Sequence, residues 1–284
     1  MEQYVQLMAK DVSRRPVKLE PEKTLYDARN IMQAFGISRV VIAKGDKPVG
    51  IVTEKDIAKI LYLDVLGRHL DQIKLEEVMN KNLVTVNEHS GLNICAKAMD
   101  ENRISSVISV DSAMKLRGII TKTDLVEVYA KYYAGKHLVQ DYMTRKIFIV
   151  TPEDTTRTVL SIMTVNKLSR ILVVKEQKLV GIITSRDLLP VIGLFAPGTF
   201  GTVKMPPRSG EDLGIITPAG VSRLLLAEDI MTGDPVTVTK DSDLSLAAQI
   251  MVNKRISGLP VVDMHKNVEG IVTKTDIVRA FTVT

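Results

Sequence analysis

Gly118-Ile119-Ile120-Thr121-Lys122-Thr123-Asp124-Leu125 is one of four nearly identical stretches in this chain. The others run Gly50 to Ile57 (GIVTEKDI), Gly181 to Leu188 (GIITSRDL) and Gly270 to Ile277 (GIVTKTDI). Each is a glycine, two β-branched residues, a threonine, two variable residues, an aspartate and an aliphatic residue. Reading outward, Ser38, Ser105, Ser169 and Ser257 lie upstream, each followed by an apolar run. Six residues before each serine stands Met32, Met99, Met163 or Met251, and 20 residues before those stand Val12, Met79, Met143 and Met231. A register held through four copies marks internal repeats, which decide the architecture ahead of any local reading.

The periods within a copy assign its elements. Asp243 precedes Leu244, Ala247, Ala248 and Met251, an i, i+3, i+4, i+7 stripe that predicts an amphipathic helix with an acidic cap, and Leu92, Cys95, Ala96 and Met99 repeat it. Ile171 to Val174 and Gly181 to Thr184 are short, β-branched and separated by a polar turn, which predicts a hairpin. With a short leading strand (Pro16-VKL, Leu83-VTV, Ile147-FIV, Pro235-VTV) and a helix after the aspartate, each copy reads β-α-β-β-α. Units of about 60 residues have little core of their own, so they are expected to pair.

These residues resemble the CBS domain family, whose repeats pair into Bateman modules. The resemblance covers nearly the whole chain, with the early Met and the final Asp 44 or 45 residues apart in every copy, and only Val12 departing from the pattern. It implies a mixed α/β (α+β) fold of four repeats in two Bateman modules, arranged as a disc. The expected boundaries are residues 1–62, 63–132 and 133–192 for repeats one to three, 193–227 for a Gly/Pro-rich insertion and linker, and 228–284 for repeat four. That insertion follows from the aspartate spacings of 68, 63 and 89 residues. Its apolar start (Val191, Ile192, Leu194, Phe195) suggests packing over a cleft or partner, with a tolerated surface loop as the equal alternative.

The repeats also alternate. The serine-to-glycine spacing runs 12, 13, 12, 13. Copies one and three place Arg39 and Arg170 after the serine, and Lys55 and Arg186 before the aspartate; copies two and four instead carry Arg103-Ile-Ser, Arg255-Ile-Ser and Lys-Thr-Asp. One pair duplicated whole accounts for this, with the module boundary near residues 131–137.

Thr-x-x-Asp leaves two readings open on the residues alone. It is a capping box, worth roughly 1–2 kcal/mol of helix stability. The same geometry offers free amides and the positive end of a helix dipole to a phosphate, and a carboxylate to the two hydroxyls of a ribose. The resemblance favours the second. It implies that Asp56, Asp124, Asp187 and Asp276 hold ribose, that Thr53, Thr121, Thr184 and Thr273 lie near phosphates, and that Arg39 and Arg170 occupy positions like the phosphate-contacting residues of the γ subunits of AMP-activated protein kinase. Ser106 and Gly258 stand there in copies two and four. Lys55, Arg103, Thr123, Arg186, Arg255 and Thr275 complete the candidate nucleotide-binding set.

Composition narrows the rest. Apolar residues make up 45% and charged residues 25%, the balance of a folded globular chain. One cysteine excludes a disulfide framework and fits a reducing, cytoplasmic setting; Met1-Glu2-Gln3 predicts no secretory signal. The longest uncharged stretch, 16 residues from Leu188 to Val203, is too short and too rich in Gly and Pro to span a bilayer. The four histidines are scattered, Cys95 lies on an apolar stripe, and neither GxGxxG nor GxxxxGK[ST] is present, so no metal, no catalytic residues and no catalytic cofactor are expected. The net charge of +5 hints at an anionic ligand, but zero Trp and only short basic runs argue against nucleic acid. The expected function is regulatory rather than enzymatic: binding of AMP, ADP or ATP, with S-adenosylmethionine a further candidate, transmitted to an unidentified protein partner. A homodimer is a further expectation. The alternative is a protein- or nucleic-acid-binding scaffold whose repeats take no nucleotide.

Overall fold

The computed structural model describes residues 7–63, 68–188 and 225–283. The insertion residues named above lie outside these. Four small sheets follow the four repeats. In the first, Lys18–Leu19 runs parallel to Arg39–Lys44, which pairs antiparallel with Lys47–Thr53. The second repeats this with Thr85–Asn87, Ser106–Val110 and Leu116–Thr121. The third has Ile149–Val150, Arg170–Lys175 and Lys178–Thr184, with Thr232–Gly233 added at its edge. In the fourth, Gly258–Val262 pairs with Val268–Thr273, and the leading strand expected at Pro235-VTV shrinks to a single parallel bridge between Val238 and Val261.

The helices form where the apolar stripes place them. Met32, Met99, Met163 and Met251 are 0–3% exposed, so the fixed methionine is core in all four copies. Asp243 caps Leu244–Asn253 by accepting from the Ser245 amide at 2.7 Å. Each of these helices ends on or just before a residue in the left-handed region: Gly36, Arg103, Lys167 and Arg255 have φ between 53° and 61°. At Arg103 the backbone closes a C-cap, its amide donating to the Asp100 carbonyl at 3.1 Å and that of Ile104 to the Met99 carbonyl at 3.0 Å.

A feature not expressed by the local periods is a short helical turn leading each repeat, and it packs on the neighbouring repeat. Ala9–Val12 of repeat one lies on repeat two, with the Ala9 amide donating to the Ser90 carbonyl at 2.7 Å. Leu75–Val78 of repeat two lies on repeat one, through the Leu75 amide and the Lys23 carbonyl at 2.8 Å. Val139–Tyr142 and Ala227–Ile230 make the same exchange between repeats three and four. The methionine ending the turn sits on the motif glycine of the other repeat: a Cβ at Gly50 would come within 2.3 Å of the Met79 sulfur, and one at Gly181 within 2.4 Å of that of Met231. The glycine that opens each motif therefore makes room for a neighbour's leader.

Two compact units result. One comprises residues 1–137, 243–257 and 273–284, the other residues 138–242 and 258–272, so the helices and sheet of repeat four belong to different units. In the first, Val41, Ile108, Val110 and Ile119 join the sheets of repeats one and two into an apolar cluster. In the second, Leu172, Leu179 and Val262 do the same for repeats three and four. Also in the first unit, the repeat-four helices Leu244–Asn253 and Lys274–Thr282 pack on the repeat-two helices Leu92–Glu101 and Lys122–Tyr132. Tyr129 and Phe281 are fully buried there, with ring centroids 5.5 Å apart. Burial of two such rings stabilises by roughly 2–3 kcal/mol each.

Candidate functional site

The four Thr-x-x-Asp motifs fold alike. The strand ends at the threonine, whose β conformation makes it an N-cap, and the aspartate three residues on turns back. In repeat one, Asp56 Oδ2 accepts from the Thr53 amide at 2.9 Å and from Thr53 Oγ1 at 2.6 Å. Asp124, Asp187 and Asp276 receive the same two bonds from Thr121, Thr184 and Thr273 at 2.6–2.8 Å. One oxygen of every motif aspartate is thereby consumed by helix capping. The other oxygen is left for other work.

What that second oxygen meets differs between repeats. Asp124 and Asp276 are 4% and 2% exposed, and each has a guanidinium against it: Arg14 Nε at 2.6 Å from Asp124 Oδ1, and Arg279 Nη1 at 3.5 Å from Asp276 Oδ1. Asp56 and Asp187 are half-buried and, among the described residues, form no ion pair.

Arg39 stands directly across the ladder from Thr53, as Arg170 does from Thr184. The Arg39 side chain reaches into repeat two. Its Nη1 donates to Ser105 Oγ at 3.1 Å and its Nη2 to Ser38 Oγ at 3.2 Å. Burial lowers its pKa from the ordinary arginine value, outweighing the pull of Asp124 and Glu54. Among the described residues no carboxylate lies within ion-pair distance of it. A half-buried guanidinium with only hydroxyls as partners is electrostatically under-compensated, and an anion is the species that would compensate it.

Lys122 and Lys274 have a different role. Lys122 Nζ donates to Thr275 Oγ1 at 2.8 Å, and Lys274 Nζ donates to Thr123 Oγ1 at 2.9 Å. The Lys-Thr-Asp of repeats two and four is thus a reciprocal clasp between their helix starts. Thr123 and Thr275, expected at the nucleotide, are engaged in it. Arg103 and Arg255 are exposed and serve the left-handed helix ends. Lys55 and Arg186 are exposed in the first turn after Thr53 and Thr184, and Gly258 is buried at the start of its strand. Sequence reasoning missed Arg14 and Ser105. The signal for Arg14 is a weak one: its place in the leaders is basic in three copies (Arg14, Lys81, Arg145) and Gly233 in the fourth.

Cys95 is fully buried, with its thiol pushed up to about 11 by desolvation. Among the described residues, no cluster of His, Cys, Asp and Glu could hold a metal, and no helix is long and apolar enough to cross a membrane.

Four segments, residues 9–63, 75–131, 139–193 and 227–283, match the CBS domain model. The chain belongs to the CBS domain family. Over 98% of its length it is 27% identical to protein MJ1225 of Methanocaldococcus jannaschii, of which 99% is covered. The crystal structure of MJ1225, proposed as an archaeal homolog of the γ subunit of AMP-activated protein kinase, matches with a TM-score of 0.75 at 24% identity, covering 97% of this chain and all of that one. A conserved protein of Pyrococcus horikoshii matches over the same 97% with a TM-score of 0.69 at 21% identity, again fully covered. These two structures share the CBS fold through all four repeats.

Proposed function

We propose that this four-repeat CBS protein is a regulatory sensor of adenine nucleotides, with AMP, ADP, ATP or S-adenosylmethionine bound in clefts between paired repeats. The carrying observation is Arg39: a half-buried, desolvated guanidinium facing Thr53, held by Ser38 and Ser105 and lacking a carboxylate partner among the described residues. Phosphate beside Arg39 supplies the missing charge, and the second oxygen of Asp56 accepts a ribose hydroxyl. In repeat three, Arg170 likewise stands across the ladder from Thr184, whose amide donates to Asp187. Micromolar affinity requires about −8 kcal/mol, within reach of a charge-assisted phosphate contact, a ribose carboxylate and a buried base. To signal, the ligand must bind one arrangement of the repeats better than another and so shift the population that a protein partner reads. The reading assigns the chain no catalytic step.

The satisfied caps favour a second reading, in which the repeats are a scaffold and the aspartates only terminate strands and start helices. A thermal-shift series separates the two. A nucleotide at 100 times its Kd raises stability by about 2.7 kcal/mol, and a scaffold shows no shift with any adenine compound.

A further inference from the structure

Arg14 is absent from every repeat-derived motif, yet it makes one of the shortest ion pairs in the described structure, and with a motif aspartate. We propose that Arg14 is an internal occupant of the repeat-two site, its guanidinium holding the oxygen of Asp124 that a ribose would need. A nucleotide enters repeat two only by displacing it. This deepens, and rests on, the nucleotide reading above.

Asp124 has two oxygens. Oδ2 is fixed by the Thr121 amide and hydroxyl at 2.7 and 2.6 Å, and Oδ1 accepts from Arg14 Nε at 2.6 Å. With 4% of the residue exposed, no second face remains for a diol. Glu127, one helical turn on, takes Arg14 Nη2 at 2.8 Å and orients the fork. The two carboxylates raise the Arg14 pKa, Asp124 first. Asp56 and Asp187, by contrast, have no such partner among the described residues. Lys81 and Arg145 occupy the place of Arg14 in other leaders, and neither pairs with a motif aspartate; Arg145 reaches instead the Gln140 carbonyl at 3.5 Å. Asp276 is met only by Arg279 of its own helix, at 3.5 Å, so among the described residues a leader arginine on a motif aspartate is found in repeat two.

The arrangement permits release without unfolding. The Arg14 backbone is pinned to repeat two, its amide and carbonyl exchanging 3.0 Å bonds with Ile119. Its side chain is 62% exposed and can swing into water. Beside Asp124 lies an open pocket of about 320 Å³ whose wall combines Val12, Val128 and Tyr132 with the charged Asp11, Glu127 and Lys131. The obstacle to a ribose is thus a displaceable guanidinium rather than packed core.

Equilibrium dialysis of labelled AMP against the full chain tests this with four proteins: wild type, Arg14→Gln, Glu127→Gln, and Arg14→Gln combined with Asp124→Asn. Arg14→Gln is expected to bind one more AMP per chain than wild type at the same free AMP, with the affinity of that site raised about tenfold, the effect of losing one charge-assisted competitor. Glu127→Gln, which leaves Asp124 paired and the fold undisturbed, moves the same way by less. Asp124→Asn cancels the gain. A wild type that binds AMP and is matched in number and affinity by both single variants overturns the occupancy of repeat two while leaving the nucleotide reading in place. No AMP bound by any of the four overturns the nucleotide reading, and the occupancy with it.

Discussion

Lys122 Nζ donates to Thr275 Oγ1 at 2.8 Å across the helices of repeats two and four, and Lys274 returns the contact to Thr123 at 2.9 Å. The variable positions of the motif are therefore not idle. In repeats two and four they tie one helix start to the other, whereas repeats one and three carry Glu54-Lys55 and Ser185-Arg186 at these positions.

A double-mutant cycle with Lys122→Met and Thr275→Val measures the clasp, and a coupling of about 1 kcal/mol is expected for a charge-assisted bond that is half-exposed. Burial lowers the Lys122 pKa in the folded chain. Between that lowered value and the ordinary lysine value, the unfolded chain holds more protons, so the contribution of Lys122 rises with pH. Denaturant titrations are expected to show wild type gaining on Lys122→Met as pH approaches 10.5.

The leader exchange predicts an order among glycine substitutions. A Cβ at Gly270 would lie 2.7 Å from the Thr144 carbonyl oxygen, which is backbone and cannot turn aside. Gly270→Ala is expected to cost more than about 2 kcal/mol. At Gly50 the obstacle is the flexible Met79 side chain, so Gly50→Ala costs less and Met79→Ala on top recovers part of the loss. Equal costs with no recovery in thermal unfolding would refute the packing of the methionine on the glycine.

Cys95 is a buried thiol in the core of repeat two. A thiol reagent at pH 8 is expected to react only after unfolding. Because its folded pKa is raised from 9.0 to about 11, its contribution is fully present below pH 9 and is lost as pH rises through that interval, by an amount on the order of 1–3 kcal/mol. Cys95→Ala flattens that alkaline decline at some cost in packing.

Ser109 is fully buried and its hydroxyl is the one buried side-chain oxygen left without a partner among the described residues. It stands opposite Gly118, where Ile42 and Val173 stand opposite Gly50 and Gly181. Removing an unsatisfied hydroxyl from that environment is expected to stabilise by about 1 kcal/mol, so Ser109→Ala raises the midpoint of chemical denaturation.

Much of the fold was legible because the repeats supply four readings of one pattern. The hairpins, the apolar stripes, the Asp243 cap and the buried methionines all follow from local periods. The fixed methionine 20 residues further upstream was visible as a register, but not its contact, since that contact is with another repeat and local period carries no such information. Arg14 was hidden for the same reason: it meets Asp124 across 110 residues of chain. Repeat four's leading strand was overread because Pro235-VTV has strand composition but finds only one bridging partner, at Val261. At the site, the threonine and aspartate could be located in the sequence, whereas the difference between open and guanidinium-paired carboxylates depends on side chains arriving from other repeats.

The most direct test of the nucleotide-sensing account is calorimetric titration of AMP, ADP, ATP and S-adenosylmethionine into wild type and into Arg39→Met. The account predicts saturable heat from at least one of them in wild type, and a ten- to hundredfold weaker Kd in Arg39→Met, with the ligand-free variant no less stable because the lost charge was desolvated and unpaired. Absence of heat from all four compounds in wild type, or equal affinity in Arg39→Met, would contradict it.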